Sequence, residues 1–207
     1  MPEFTKEERR ILNKIRTPAR IQDFLDTLAI NHEKQGETCY SPRLVLRYKK
    51  AHCLEGALLA AVALAQTGQP PLVMNLHTGN GDDDHTVALF KNNGCWGALS
   101  KTNHAVLRYR DPIYRTLREL ALSYFHEYFL DDGRKTLRSY SKPVNVNRFG
   151  TAWITSEEPL WRIADALQDA PHSPLIPPSA RARLRRAHPL ERKVFKTVEW
   201  PKNDSRT

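Results

Sequence analysis

The sequence predicts an α+β fold in which a cysteine-bearing helix packs on a small antiparallel sheet, with additional helices flanking it. Three observations carry that prediction. Cys53 opens an apolar run, Leu54 to Ala65, whose density of alanine and leucine reads as a buried helix. Two β-like segments follow it, Leu72 to Leu76 and Thr86 to Phe90. Asn92-Asn93-Gly94 then supplies residues that tolerate the positive φ of a tight hairpin, between Leu89-Phe90 and Cys95-Trp96.

Taken in order, Glu7 to Arg16 reads as a charged amphipathic helix, and Thr17-Pro18 as the N-cap and first position of a second helix running to Ile30. Ile21, Phe24, Leu25 and Leu28 recur at helical spacing and are expected in the core. Asn31 to Tyr48 reads mostly as loop, and the Cys53 helix stops near Gly68. After the hairpin, Asp111-Pro112 reads as the cap of a long helix with Ile113, Leu117, Leu120, Tyr124 and Tyr128 on one stripe. Pro143 to Asn147 is expected as an edge strand, Glu157 to Leu167 as a short helix, and Pro171 to Pro178 as a linker. The organisation is one core, residues 41–130, preceded by packing helices in 1–40 and followed by an extension in 131–178 and a basic tail in 179–207.

At 207 residues and 40% hydrophobic, the chain can bury a good core without disulfides. Its three cysteines, Cys39, Cys53 and Cys95, are an odd number without CxxC spacing, and the start carries no apolar signal segment. A reducing, cytoplasmic setting is expected, with no metal site and no cofactor. No apolar run reaches the roughly 18 residues of a membrane span, so no membrane is expected among the partners. The formal charge is +9, of which the stretch from Arg181 to Thr207 holds +6, nine Lys/Arg against three acids.

Chemistry concentrates at Cys53. A cysteine in an apolar helix is ordinarily a small core residue, but this one sits at the positive end of a helix dipole, with Lys49, Lys50 and His52 just upstream. His85 then stands at the start of a strand, and a cysteine on a helix with a histidine on a strand are two halves of a nucleophile-base pair. Counting back from a two-residue turn places Ser100 or Thr102 opposite His85, with Asn103 just beyond. Asp82, Asp83, Asp84 and nearby His77 read as a solvated loop, because three consecutive aspartates cannot converge on one ion.

The stretches Lys50-Ala51-His52-Cys53-Leu54-Glu55-Gly56-Ala57, Asp84-His85-Thr86-Val87-Ala88-Leu89-Phe90 and Gly94-Cys95-Trp96-Gly97-Ala98-Leu99 together resemble the transglutaminase-like core, the Cys-His-Asp domain shared by transglutaminases and peptide N-glycanases. The resemblance covers Ser41 to Pro112 and implies a papain-like fold and acyl transfer through a thioester on Cys53, with His85 as base and acid. It departs at the third residue. Where the family carries aspartate, or sometimes asparagine, this chain reads Ser100-Lys101-Thr102-Asn103, so Ser100 and Asn103 are both candidates to orient His85, while Asp111 is better explained as a helix cap.

The implied enzyme acts on a peptide or protein amide, by hydrolysis or by transfer to an amine. Two other classes stand beside it. One is a catalytically inactive domain of the same type used for binding. The other is a nucleic-acid-associated protein, or one with an acidic partner, using Arg181, Arg183, Arg185 and Arg186.

Overall fold

The computed structural model describes residues 4–79 and 81–203. Met1 to Glu3, Asn80 of the acidic loop and Asp204 to Thr207 of the basic tail lie outside the described residues. The N-terminal region forms helices α1 (Lys6–Lys14) and α2 (Pro18–Thr27), the first closed by a capping box between Thr5 and Glu8, the second capped by Thr17 with Pro18 at its start. The second helix ends earlier than its periodicity suggests. Ala29 and Ile30 leave it to form β1 (Ala29–Ile30), which pairs in parallel with β2 (Lys50–Ala51). Between them the segment expected as loop contains α3 (Pro42–Tyr48), capped by Ser41.

Helix α4 (Cys53–Ala65) is buried continuously from Glu55 to Leu64. It packs against α2 and α3 on one side and the main sheet on the other, which is why its sequence is apolar all round. The sheet is built from β3 (Leu72–Thr78), β4 (His85–Asn92), β5 (Cys95–Leu99), β6 (Arg110–Tyr114), β7 (Leu137–Ser141), β8 (Val144–Asn145) and β9 (His172–Pro174). Its order is β6-β5-β4-β3-β7-β9, with β8 also on β3, and every neighbouring pair is antiparallel. Side chains alternate between two apolar layers: Val73, Ala88, Phe90 and Leu99 face the α4 layer, and Met74, Leu76, Val87, Leu89 and Ala98 face the other. That second layer is closed by α5 (Leu117–Ser123) and by Tyr124, Phe125 and Tyr128 beyond it. The chain is therefore mixed α/β, with an antiparallel sheet covered on both faces.

The hairpin joins β4 to β5 through Asn93 and Gly94, both at positive φ (47° and 80°), as the two-residue turn requires. The long helix expected after Asp111 does not form. Arg110 to Tyr114 pairs with β5 instead, Pro112 is accepted because β6 is the sheet's edge, and Thr116 caps the shorter α5. Asp111 is thus a strand residue, and Ile113 points outward at 68% exposure. The proline-rich stretch read as linker supplies β9 at the other edge. After β8 a 3-10 turn leads on to α6 (Trp161–Gln168), shorter than the helix expected there.

The basic segment contains α7 (Pro189–Phe195) and lies on the body of the protein. Phe195 stacks on His104 with ring centroids 4.3 Å apart, the Ala105 amide donates to the Thr197 carbonyl, and Arg108 pairs with Glu199 at 3.0 Å. Among the described residues no helix is long and apolar enough to cross a membrane.

Candidate active site

The first turn of α4 assigns its own amides. His52 is the N-cap, and its ring accepts from the first-turn amides of Leu54 and Glu55, while the Glu55 carboxylate accepts from the His52 amide at 2.9 Å. The Gly56 amide goes to the His52 carbonyl. Of the first-turn donors this leaves the Cys53 N-H, which points from a helix N-terminus beside its own half-buried side chain. Burial would push the Cys53 thiol up. The neighbouring His52 and His85 overcome it and bring the pKa down to about 5.

His85, 6% exposed, opens β4. Its Nε2 lies 2.6 Å from Ser100 Oγ, and Ser100 Oγ lies 2.6 Å from the Leu107 carbonyl oxygen. A carbonyl only accepts, so the serine proton goes to Leu107 and the serine oxygen accepts from His85 Nε2-H. With Nε2 so occupied, Nδ1 is the nitrogen left to serve Cys53, whose pKa His85 helps lower. Ser100 is held from three directions. Gln22 of α2 brackets its backbone, accepting from its N-H at 3.0 Å and donating to its carbonyl at 2.8 Å. Leu107 aims its carbonyl from a left-handed conformation (φ 62°), held there by the hydrogen bond its N-H donates to the Glu127 carboxylate at 2.7 Å.

The third support is Gly56. A Cβ there would come 2.4 Å from Lys101 Cβ, so only glycine lets the segment after β5 pass this close to α4. Lys101 itself is fully buried and donates to the Leu28 carbonyl, and burial brings its pKa down to about 8. Register alone points elsewhere: Ala88 pairs with Leu99, and counting on from that pair sets Thr102 opposite His85. The strand ends at Leu99, and Ser100 reaches the ring instead.

No protein-family model matches the chain, and no curated protein does. The site is therefore read from its geometry.

The structure brings together Cys53, His85 and Ser100 and does not bring Asn103 to them. The Asn103 side chain brackets the backbone of Trp200 instead, donating to its carbonyl at 2.9 Å and accepting from its amide at 2.8 Å. Asp84 accepts from Asn75, Thr78 and His77, which together outweigh burial and hold its carboxyl below the usual range. Among the described residues no group of His, Cys, Asp and Glu gathers as a metal site. Burial and the nearby Glu55 push the Cys39 thiol up to about 12, so it is inert. Tyr128, 3% exposed, lies within the field of Cys53; burial and then that charge hold its phenol far above the ordinary value and keep it neutral.

Gln22, Leu107 and Glu127 carry no signal in the sequence, because each acts on residues far along the chain. Glu55 did carry one. It stands three residues after His52 at capping-box spacing, obscured because histidine is an unusual N-cap.

Proposed function

We propose that this protein is a transglutaminase-like cysteine enzyme, with a papain-like arrangement of helix and sheet, that cleaves or transfers carboxamides of peptides or proteins through a Cys53 thioester. The observation that carries this reading is the connected series from Cys53 to His85 to Ser100, with the Cys53 N-H left over at the helix start. The depressed pKa of Cys53 makes the sulfur a thiolate, and His85 is the base that takes up the proton it gives up. The sulfur attacks the carboxamide carbon, the carbonyl π electrons move onto oxygen, and the Cys53 N-H receives that oxyanion. Collapse breaks the C-N bond as His85 Nδ1-H passes its proton to the departing nitrogen. Water or an amine then attacks the thioester while His85 takes its proton, and thiolate leaves again. Ser100 keeps Nε2 protonated throughout. It does so as a neutral dipole, so it supports the imidazolium less than a carboxylate would. A cytoplasmic setting, which keeps thiols reduced, suits such a nucleophile.

The test is release of ammonia from carboxamide peptides, and hydroxamate formation when hydroxylamine replaces water, for the native chain and for Cys53→Ala, His85→Ala and Ser100→Ala. Activity abolished by the first two and reduced about tenfold or more in kcat by the third is the expected result. A native chain inert on such substrates, though its Cys53 alkylates quickly, would leave a binding domain built on the same site. A second reading rests on Arg181, Arg183 and Arg185, which are exposed, whereas Arg186 and Lys196 pair with Asp132 and Asp131. Salt-dependent binding to nucleic acid, lost when those three become glutamine, would favour it.

A further inference from the structure

Glu55 is the one acidic side chain in α4, and it is fully buried. Its carboxylate accepts from Thr38 Oγ1 and the Tyr40 amide, each at 2.8 Å, from the His52 amide at 2.9 Å and from Asn31 Nδ2 at 3.1 Å. All four donors are neutral. Hydrogen bonds satisfy the oxygens but supply no counter-charge, and a buried carboxylate needs one. Among the described residues the basic side chain within ion-pair distance is His52, whose Nε2 stands 3.3 Å from Glu55 Oε1 and 4.0 Å from Glu33 Oε1. The same nitrogen donates to the Thr38 carbonyl at 3.1 Å, and Cys53 follows the ring directly in the chain, at the first position of α4. The ring therefore lies beside Glu33 from the preceding loop and Glu55 of α4, next in sequence to Cys53, on which His85 of β4 also acts.

We propose that His52 is a second imidazolium partner of Cys53, a positioning residue that holds the thiolate by bridging the sulfur to the buried Glu55 carboxylate, before attack and again when sulfur leaves the thioester. The inference rests on reading Cys53 as a nucleophile. Burial would lower the His52 pKa, but Cys53, Glu55 and the Thr38 carbonyl together raise it to about 9. One nitrogen decides the state. In the neutral ring Nδ1 caps the helix through the Leu54 amide at 3.2 Å, and in the imidazolium Nδ1-H turns that lone pair into a donor for sulfur. The sulfur is acylated while His85 delivers its proton, so the second imidazolium acts on the free thiolate, before attack and again as it leaves the thioester.

The experiment is the pH dependence of Cys53 alkylation by iodoacetamide, followed on the Cys53 peptide by mass spectrometry, in the native chain, His85→Ala, His52→Asn and the double variant. Asparagine keeps an N-cap acceptor, so α4 stays capped. His85→Ala is expected to titrate still well below the free-thiol value of roughly 8.5. The double variant is expected to titrate at or above it, with labelling at pH 6 about a hundredfold slower than native. A return to the free-thiol value in His85→Ala alone, or an unmoved pKa in His52→Asn, overturns the proposal and leaves the amidase reading standing. A thiolate that depends on His52 in a chain that turns over no amide supports it while rejecting that reading. Should His52→Asn fail to fold, imidazole 15N NMR of the native chain at pH 7 decides. Two protonated ring nitrogens on His52 support the proposal, and one overturns it.

Discussion

On Cys53 two short-range effects agree with one long-range contact. The helix start and the adjacent His52 are local, whereas His85 arrives from the sheet. Together they outweigh burial, which acts alone on Cys39 and moves that thiol the opposite way. The sign follows directly. A depressed pKa means Cys53 is anionic above it, so iodoacetamide labelling should reach half its plateau near pH 5, whereas Cys39, held up at about 12, should stay unlabelled in the native chain. Labelling of Cys53 that rises only around pH 8 to 9 would refute the activated pair. Cys53 and His85 were legible as candidates because helix start and strand start are written in local pattern. The choice of Ser100 over Asn103 was not, since both lie just past β5 and the decision belongs to Gln22 and Leu107.

At the scale of elements, the site depends on how closely the segment after β5 can run along α4, and Gly56 sets that distance. Alanine at position 56 would gain about 1 kcal/mol of helix propensity. It would also drive its Cβ to 2.4 Å from Lys101 Cβ, an atom next to the backbone that cannot swing aside. Overpacking of this kind costs about 1 to 3 kcal/mol, so the clash wins, and Gly56→Ala should lower the Tm and displace Ser100 from His85. Chemical denaturation with the alkylation profile measures both, and an unchanged or raised stability would show that the segment has room. The hairpin was readable from Asn93-Gly94 because two positive φ values demand such residues. The strand at Arg110 to Tyr114 was not. Asp111-Pro112 begins helices and also fits an edge strand, and pairing with β5 settles the matter.

For the whole molecule, the C-terminal segment is a strap rather than a solvated tail. The Trp200 carbonyl accepts from Asn103 at 2.9 Å and lies 3.0 Å from His32 Nε2, tying the segment after β5 to the loop that follows β1. Phe195 stacks on His104 and tilts against Phe129. Asn103→Ala removes both side-chain bonds to Trp200 and should cost about 1 to 2 kcal/mol. Hydrogen exchange of residues 197–200 should speed up while the pH profile of Cys53 alkylation stays in place. A shift in that profile would return Asn103 to the catalytic group.

By itself the sequence determined what neighbours within a few residues decide: the buried helix beginning at Cys53, the histidine opening the next strand pair, the tight turn that makes those strands antiparallel, and the cap at Thr17. Only the tertiary structure decided which polar group orients His85, that Arg110 to Tyr114 is a strand, and that the arginine-rich segment docks. The physical reason is burial. A polar group removed from water must find its partner in space, and for Ser100, Glu55 and Asn103 those partners come from Gln22, Thr38 and Trp200, whose distance along the chain leaves no local pattern to read.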